Sequence, residues 1–583
     1  MSRDTFTTVR VAGGILPPDL LTRLTTAKEV EGLAPVDYHL APGETLREAA
    51  NRAWSYLTGV WASYKSALDK LPPEDRATSL TRERWLLLLF KELDFGRLPA
   101  TSAGGLTAEG KGFPISHHWG NVPAHLLGYN IELDSRSTGV VGAAGASPQS
   151  LVQEYLNRTD EALWGILSNG RTLRLLRDST SLVGSAYVEF DLEAIFDGDQ
   201  FSDFLLLYLM LHQSRFESPE ENPAECWLER WRTQAIETGT RALDQLRDGV
   251  AEALETLGSG FLSHPSNHDL RQALKDGSLD LADYRRALLR LVYRLLFLFV
   301  AEARSALFEP DAGETSKRRY LDFYSVAHLR RISLKRLGSS HGDLWHGLRQ
   351  VLRALGNEAG HPQLGLPALG GIFEHTELDV VDDHELSNHA LLEAVRALST
   401  VRDRTTGPTR TVDFRNLDAE ELGSIYESLL ELIPSHDPAT NQFKLRVVAG
   451  NERKTSGSYY TPTSLIESLL DTALDPLIEE AENAEDSERA LLEITVCDPA
   501  CGSGHFLVAA ARRIAKRLAA VRTGDPEPGP EPVRTALRDV VTSCIYGVDV
   551  NPLAAELAKV SLWLEALEPG RPGHSPSSTH RSR

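Results

Sequence analysis

Three short stretches late in the chain have residue types and spacing suited to binding a charged nucleoside. The first is Asp498-Pro499-Ala500-Cys501-Gly502-Ser503-Gly504-His505-Phe506. Two glycines one residue apart let a backbone turn sharply and approach a ligand with no side chain in the way. The second is Tyr546-Gly547-Val548-Asp549-Val550-Asn551-Pro552. Its Asp549 can accept hydrogen bonds from both hydroxyls of a ribose, each charge-assisted contact contributing about 1.5–3 kcal/mol; the same carboxylate could instead cap the helix that starts at Pro552. The third is Gly457-Ser458-Tyr459-Tyr460-Thr461-Pro462. There Thr461 suits the cap and Pro462 the first turn of a helix whose backbone N–H groups favour a carboxylate.

These stretches need elements to hold them. Residues 494–496 (ITV) read as a buried strand, 506–521 as a helix, 544–548 as a second strand and 552–567 as a helix. A Gly-rich turn between strand and helix of a β-α-β unit lies at the carboxyl end of a parallel sheet, where doubly wound folds bind nucleotides. Residues 524–532 (GDPEPGPEP) read as a Pro-rich surface loop.

Further upstream, residues 81–95 (TRERWLLLLFKELDF) have the apolar spacing of a helix with one broad buried face. Residues 162–177 (ALWGILSNGRTLRLLR) are two apolar runs around Asn169-Gly170, a hairpin signal, and 187–190 (YVEF) reads as a further strand. The periodicity turns helical from about residue 201, over 226–257 and 279–307, and again over 419–432. Residues 309–320 and 401–416 are polar, contain Gly or Pro, and read as exposed loops.

A chain of 583 residues exceeds one hydrophobic core. The expected fold class is α/β with four parts: an N-terminal α/β domain over 1–200, a helical connector over 201–435, a partial Rossmann-like domain over 436–569, and a disordered or frame-shifted tail over 570–583. The net charge of −21 argues against coating of nucleic acid by the whole surface, so any DNA contact must be local. The four cysteines, Cys226, Cys497, Cys501 and Cys544, are too few and too irregular for a disulfide framework or a zinc site. The most apolar run, residues 295–301, is about two helical turns and far too short to span a bilayer. No apolar stretch follows the first ten residues, so a cytoplasmic chain without a membrane partner is expected.

Taken together and in this order, GSYYTP, DPACGSGHF and YGVDVNP resemble the N6-adenine DNA methyltransferases. The upstream stretches 295–304 (LLFLFVAEAR) and 422–430 (LGSIYESLL) are similar to helices that precede the methyltransferase domain in type IIG restriction-modification enzymes and in BREX and DISARM phage-defence methylases. The resemblance implies S-adenosyl-L-methionine as cofactor, double-stranded DNA as partner, and methyl transfer to N6 of adenine. It also implies a class I methyltransferase fold for the last domain. The cofactor would be held by Tyr460, Thr461, Pro462, Asp498, Ala500, Gly502, Gly504, Phe506 and Asp549.

The WGILSNGRTLRLL hairpin resembles a segment that accompanies a nuclease-like domain in type IIG proteins. An acid and an acid-x-Lys pair would bind magnesium there; Glu132-Leu133-Asp134 is the nearest acidic cluster and no lysine follows suitably. A degenerate, noncleaving nuclease-like unit without metal is therefore expected. The family's Asn-Pro-Pro-Tyr-type motif, which holds the flipped adenine, occurs nowhere in the 583 residues. Hence no catalytic residue is assigned, and the expectation is a truncated or split chain, inactive alone or completed by a second polypeptide that carries the motif and a target-recognition domain. The alternative is a noncatalytic assembly subunit of a defence complex.

Overall fold

The structure, a computed structural model, describes residues 6–566 except 13–14, 17, 27–29, 73, 103, 179–185, 219–221, 310, 377–378, 403–408, 413, 415–420, 422, 424, 426–428, 430–431, 448–460 and 462. The chain divides into two compact units, Met1–Thr238 with Lys516–Val533, and Gly239–Ala515 with Arg534–Arg583.

The first unit holds strands β1 (Val9–Ala12), β2 (Leu106–Ala108), β3 (Lys111–Phe113), β4 (His117–Trp119), β5 (Val122–Leu126), β6 (Trp164–Ser168), β7 (Thr172–Arg177) and β8 (Ala186–Asp191). Six of them form one mixed sheet in the order β1-β8-β7-β6-β5-β4, in which only β5 and β6 run parallel. A parallel pair needs a crossover, and the helix Pro148–Asn157 lies in it.

The Asn-Gly signal is the β6–β7 turn. Gly170 has φ +82°, and a Cβ there would lie 2.4 Å from Thr81 Cγ2. The Trp85 indole N–H donates to the Gly170 carbonyl at 2.9 Å, tying the turn to the helix beneath it. That helix is continuous over Thr78–Thr81, a π-helical turn Arg82–Leu86, and Leu87–Glu92. Its Trp85, Leu86, Leu89 and Phe90 are buried. Trp85 meets Trp61 and Phe196 edge-on, with centroids at 5.0 and 4.9 Å.

The second unit is built on the helix Leu281–Ala303, whose residues 295–301 are all buried, as a core helix requires. Its Arg290 and Arg294 are buried too. They pair with Asp379 at 3.2 and 2.8 Å, and Arg294 also with Asp382 at 3.0 Å, which is what makes two interior charges tolerable. Arg290 reaches Glu556 of the helix Pro552–Glu565 at 2.8 Å, and Trp563 of the same helix packs on Phe297 with centroids 4.3 Å apart. Among its described residues the unit also has three two-stranded sheets: β9 (Thr400–Arg402) with β10 (Thr409–Thr411), β11 (Leu432–Asp437) with β12 (Gln442–Val447), and the parallel pair β13 (Val496–Asp498) with β14 (Ile545–Gly547).

Several local expectations are corrected. Within 309–320, read as a loop, Glu314–Phe323 is a helix, because Tyr320 is buried and its hydroxyl donates to Glu302 at 2.6 Å. The described part of 401–416 includes the β9–β10 pair. Leu432, placed at a helix end, opens β11 opposite Val447. The strand expected at 494–496 runs over Val496–Asp498, a register fixed by the Val496 N–H to Cys544 carbonyl bond of 2.8 Å, and Thr495 and Cys497 are exposed.

The 524–532 segment is not a free surface loop. Asp525 is 5% exposed and accepts from Arg136 Nε at 2.9 Å and from the Ser147 N–H at 3.2 Å, all within the first unit. The tail at 570–583 lies outside the described residues. No helix among the described residues is long and apolar enough to cross a membrane.

Candidate cofactor site

The parallel pairing of β13 and β14 brings their outgoing loops side by side. The Val548 N–H donates to the Asp498 carbonyl and the Cys501 N–H to the Val548 carbonyl, both at 2.9 Å. Gly502 and Gly504 have φ of +53° and +89°, where a side chain is strained. A Cβ on Gly504 would also sit 3.0 Å from Cα and Cβ of Ala558, so the glycine lets helix His505–Thr523 start directly against helix Pro552–Glu565.

Asp549 joins the two loops. Its Oδ2 accepts the Gly502 N–H at 2.9 Å and its Oδ1 the Asn551 N–H at 2.7 Å. The Asn551 bond shapes the turn just before the last helix, and the Gly502 bond ties that turn to the glycine loop. Each carboxylate oxygen keeps a second lone pair for a further donor. Asp498 Oδ1 accepts the Ala500 N–H at 2.9 Å, which shapes the first turn of the loop. Between the two acids, burial foremost and the nearby Asp549 and Asp498 charges next push the Cys501 thiol up to about 11, so it packs as a neutral group.

Asp498, Ala500, Gly502, Gly504 and Asp549 are thereby brought together, with Phe506 in the first turn of the helix that follows. Thr461 is described and half-buried, just before helix Thr463–Ala473; Tyr460 and Pro462 lie outside the described residues. Arg513, on the helix that follows the glycine loop, pairs with Glu467 and with Asp471 at 2.6 Å on helix Thr463–Ala473, and with Asp475 of the next one at 3.0 Å.

Two features escaped the sequence reading. Val548 is 57% exposed and Val550 fully exposed, on either side of Asp549, an apolar edge beside the acid. Gly423, within the LGSIYESLL stretch, is buried against the loop, where a Cβ would lie 2.7 Å from Ser503 Oγ. The signal for the first was present, since bulky apolar residues flank an acid at a strand end. The second depends on a contact across 80 positions of sequence.

In the first unit the acids singled out for metal are occupied by arginines. Glu132 pairs with Arg171 at 2.9 Å, and Asp134 takes both terminal nitrogens of Arg174 at 2.6 and 2.7 Å, while Arg174 also reaches Glu189 at 2.7 Å. Among the described residues the one three-ligand cluster of metal-binding type is His375, Asp379 and Asp382, and its two aspartates are those held by Arg290 and Arg294.

Residues 476–569 match the family model of the MmeI DNA-methyltransferase domain. The chain is 25% identical over 187 aligned positions to a Methanocaldococcus jannaschii protein bearing the name type II restriction enzyme and methyltransferase RM.MjaORFECS2P, covering 26% of this chain and 14% of that protein. It is 34% identical over 115 positions to the adenine-specific methyltransferase PglX of Streptomyces coelicolor, covering 20% of this chain and 8% of that protein. The chain therefore spans only a small part of the length of these curated relatives. A solved structure of the type IIL restriction-modification enzyme MmeI in complex with DNA aligns with 54% of this chain and 36% of its own, at 18% identity and a TM-score of 0.30. Residues 476–569 are thus similar to the DNA-methyltransferase domain of MmeI, and parts of the chain are similar to proteins named as a type II restriction enzyme and methyltransferase and as an adenine-specific methyltransferase.

Proposed function

We propose that residues 436–569 bind S-adenosyl-L-methionine for methylation of adenine N6 in double-stranded DNA, as one part of a restriction-modification or phage-defence enzyme. The observation that carries this reading is Asp549, at the carboxyl end of one parallel strand, bonded to the Gly502 N–H of the glycine loop that leaves the other. In a parallel sheet that crevice is where nucleotides bind. The residues fit the group in kind. Asp549 has lone pairs for two ribose hydroxyls, Val548 and Val550 offer an apolar edge to the adenine, and Asp498 supplies a carboxylate for the methionine ammonium. The start of helix Thr463–Ala473, just after Thr461, supplies backbone donors for the methionine carboxylate. The bound cofactor contributes the methyl group; the chain's own residues position it.

No Asn-Pro-Pro-Tyr-type motif is present in the 583 residues. A polypeptide of these residues is therefore expected to hold the cofactor without transferring its methyl group until a segment bearing that motif is supplied. In the same reading the first unit is a degenerate nuclease-like domain, supported by the arginine pairing of Glu132 and Asp134.

The test is calorimetric titration of the 583-residue polypeptide with S-adenosyl-L-methionine. Asp549→Ala is expected to weaken binding by roughly 10- to 100-fold, the cost of losing one charged hydrogen-bonding partner. Absence of binding by the unaltered chain would overturn the reading in favour of a noncatalytic assembly subunit. Methyl transfer to adenine by the unaltered chain alone would overturn the need for a further segment.

A further inference from the structure

In a chain of net charge −21, one run of twenty residues in the second unit reverses the sign. From Lys317 to Arg336 there are seven Lys and Arg (Lys317, Arg318, Arg319, Arg330, Arg331, Lys335 and Arg336) against a single acid, Asp322. The run folds as two consecutive helices, Glu314–Phe323 and Val326–Ser333, with a short continuation. Its orientation is fixed from inside. Glu302 accepts the Tyr320 hydroxyl at 2.6 Å and the N–H groups of Val326 and Ala327 at 2.8 Å each, pinning the end of the first helix and the start of the second.

Arg330 is drawn into the fold, donating to the Val412 carbonyl and lying over the Phe414 ring. The others point elsewhere. Arg318, Arg319, Arg331, Lys335 and Arg336 are exposed. Lys317 and Arg318 make only loose pairs, at 3.4 and 3.8 Å, with Glu314 and Asp322. Arg319 donates to the Gln363 carbonyl and Arg331 to His328, and neither these two nor Lys335 and Arg336 pair with a carboxylate among the described residues. Phe323 and Leu337, each 70% exposed, lie within and just after the run.

Cations that are loosely paired or have no carboxylate partner among the described residues, held on a pair of helices, form a surface for phosphates, and their concentration in one place gives so acidic a chain a local site for a polyanion. We infer that the surface formed by Lys317, Arg318, Arg319, Arg331, Lys335 and Arg336 binds the sugar-phosphate backbone of duplex DNA, independently of base sequence. The choice of DNA as the polyanion rests on the methyltransferase reading above; the surface itself does not.

The test measures binding of the full chain to a fluorescein-labelled mixed-sequence duplex of about 30 base pairs, by anisotropy across about 50–200 mM salt. The triple variant R331Q/K335Q/R336Q is expected to lower affinity at least about tenfold at the low-salt end and to flatten the log K against log salt slope by about 2 to 3, close to 0.9 per lost phosphate contact. A control removing three exposed cations of the first unit, R84Q/K91Q/R97Q, is expected to leave the slope within about 1 unit of the original.

Equal losses in the two variants would overturn the inference, because net charge alone would then be at work. Absence of duplex binding by the unaltered chain would overturn it, as would binding to phosphatidylserine vesicles in place of duplex. Thermal melts of both variants check that the fold is kept. Duplex binding without cofactor binding would overturn the methyltransferase reading and leave this surface standing; cofactor binding without duplex binding would do the reverse.

Discussion

The six-stranded sheet of the first unit and the two-stranded parallel sheet of the second face opposite physical situations. In the first, β5, β6 and most of β7 and β8 are buried. The turn Asn169-Gly170 is locked by Trp85, and the charges that remain inside are matched, Arg174 with Asp134 and Glu189, Arg177 with Glu229. In the second, a pair of three-residue strands carries exposed Cys497 and is flanked by exposed Thr495, Val548 and Val550, and the polar groups at its ends are backbone donors and carboxylates held by turns. The difference teaches what each part is for. A sheet whose central strands are buried on both faces specifies a scaffold, whereas one with its strand ends open leaves groups available to a ligand.

The largest test of that contrast is Trp85→Ala, which empties the centre of the aromatic cluster and removes the donor to Gly170; about 3–5 kcal/mol of stability should be lost in chemical denaturation. A loss below 1 kcal/mol would mean that the first unit is not governed by this core. Next in size is Gly504→Ala. A φ of +89° and the approach of Ala558 to 3.0 Å should cost roughly 1–3 kcal/mol and weaken cofactor binding in the same titration that tests Asp549. Unchanged affinity would separate this glycine from the site.

The units should also differ in the sign of their response to pH. Burial lowers His117, His125 and His212 of the first unit from 6.5 to about 4. Between those values the unfolded chain binds more protons, so the unit loses stability as pH falls from 6.5 toward about 4. In the second unit burial raises Glu302 from 4.5 to about 7. There the folded state holds the extra proton, so its contribution is present below 4.5 and is lost as pH rises to about 7. Hydrogen exchange followed peptide by peptide across this range should show opposite slopes, and Glu302→Gln should flatten that of the second unit. Parallel slopes would remove the distinction.

The smallest effect concerns Cys497, the exposed cysteine of four. Cys497→Ala should change stability by no more than about 0.5 kcal/mol. In the unaltered chain one thiol should react quickly with a maleimide, ahead of Cys501 and Cys544, whose thiols burial pushes up to about 11. Two fast thiols would show that the loops around β13 and β14 open.

Much of the fold was legible where local chemistry dominates. The hairpin at Asn169-Gly170, the helix over 281–303 and the strand, glycine turn and helix around Asp498 follow from φ requirements and apolar period, which neighbouring residues set. Strands β1 to β5 were not read, because their partners lie tens of residues away and short strands carry little pattern of their own. The helix Glu314–Phe323 looked like a polar loop for a related reason: one buried tyrosine, answered by Glu302, decides it.

By itself the sequence determined the chemistry on offer: two acids, two glycines and their order along a β-α-β segment, since residue type and spacing fix what a turn can adopt and what a side chain can accept. Only the tertiary structure decided how those groups are used. The bond from Gly502 to Asp549, the packing of Gly423 on Ser503, the burial of Asp525 against Arg136, and the arginine partners that occupy Glu132 and Asp134 all join residues distant in the chain. Such contacts arise from the packing of whole elements, which no local stretch encodes.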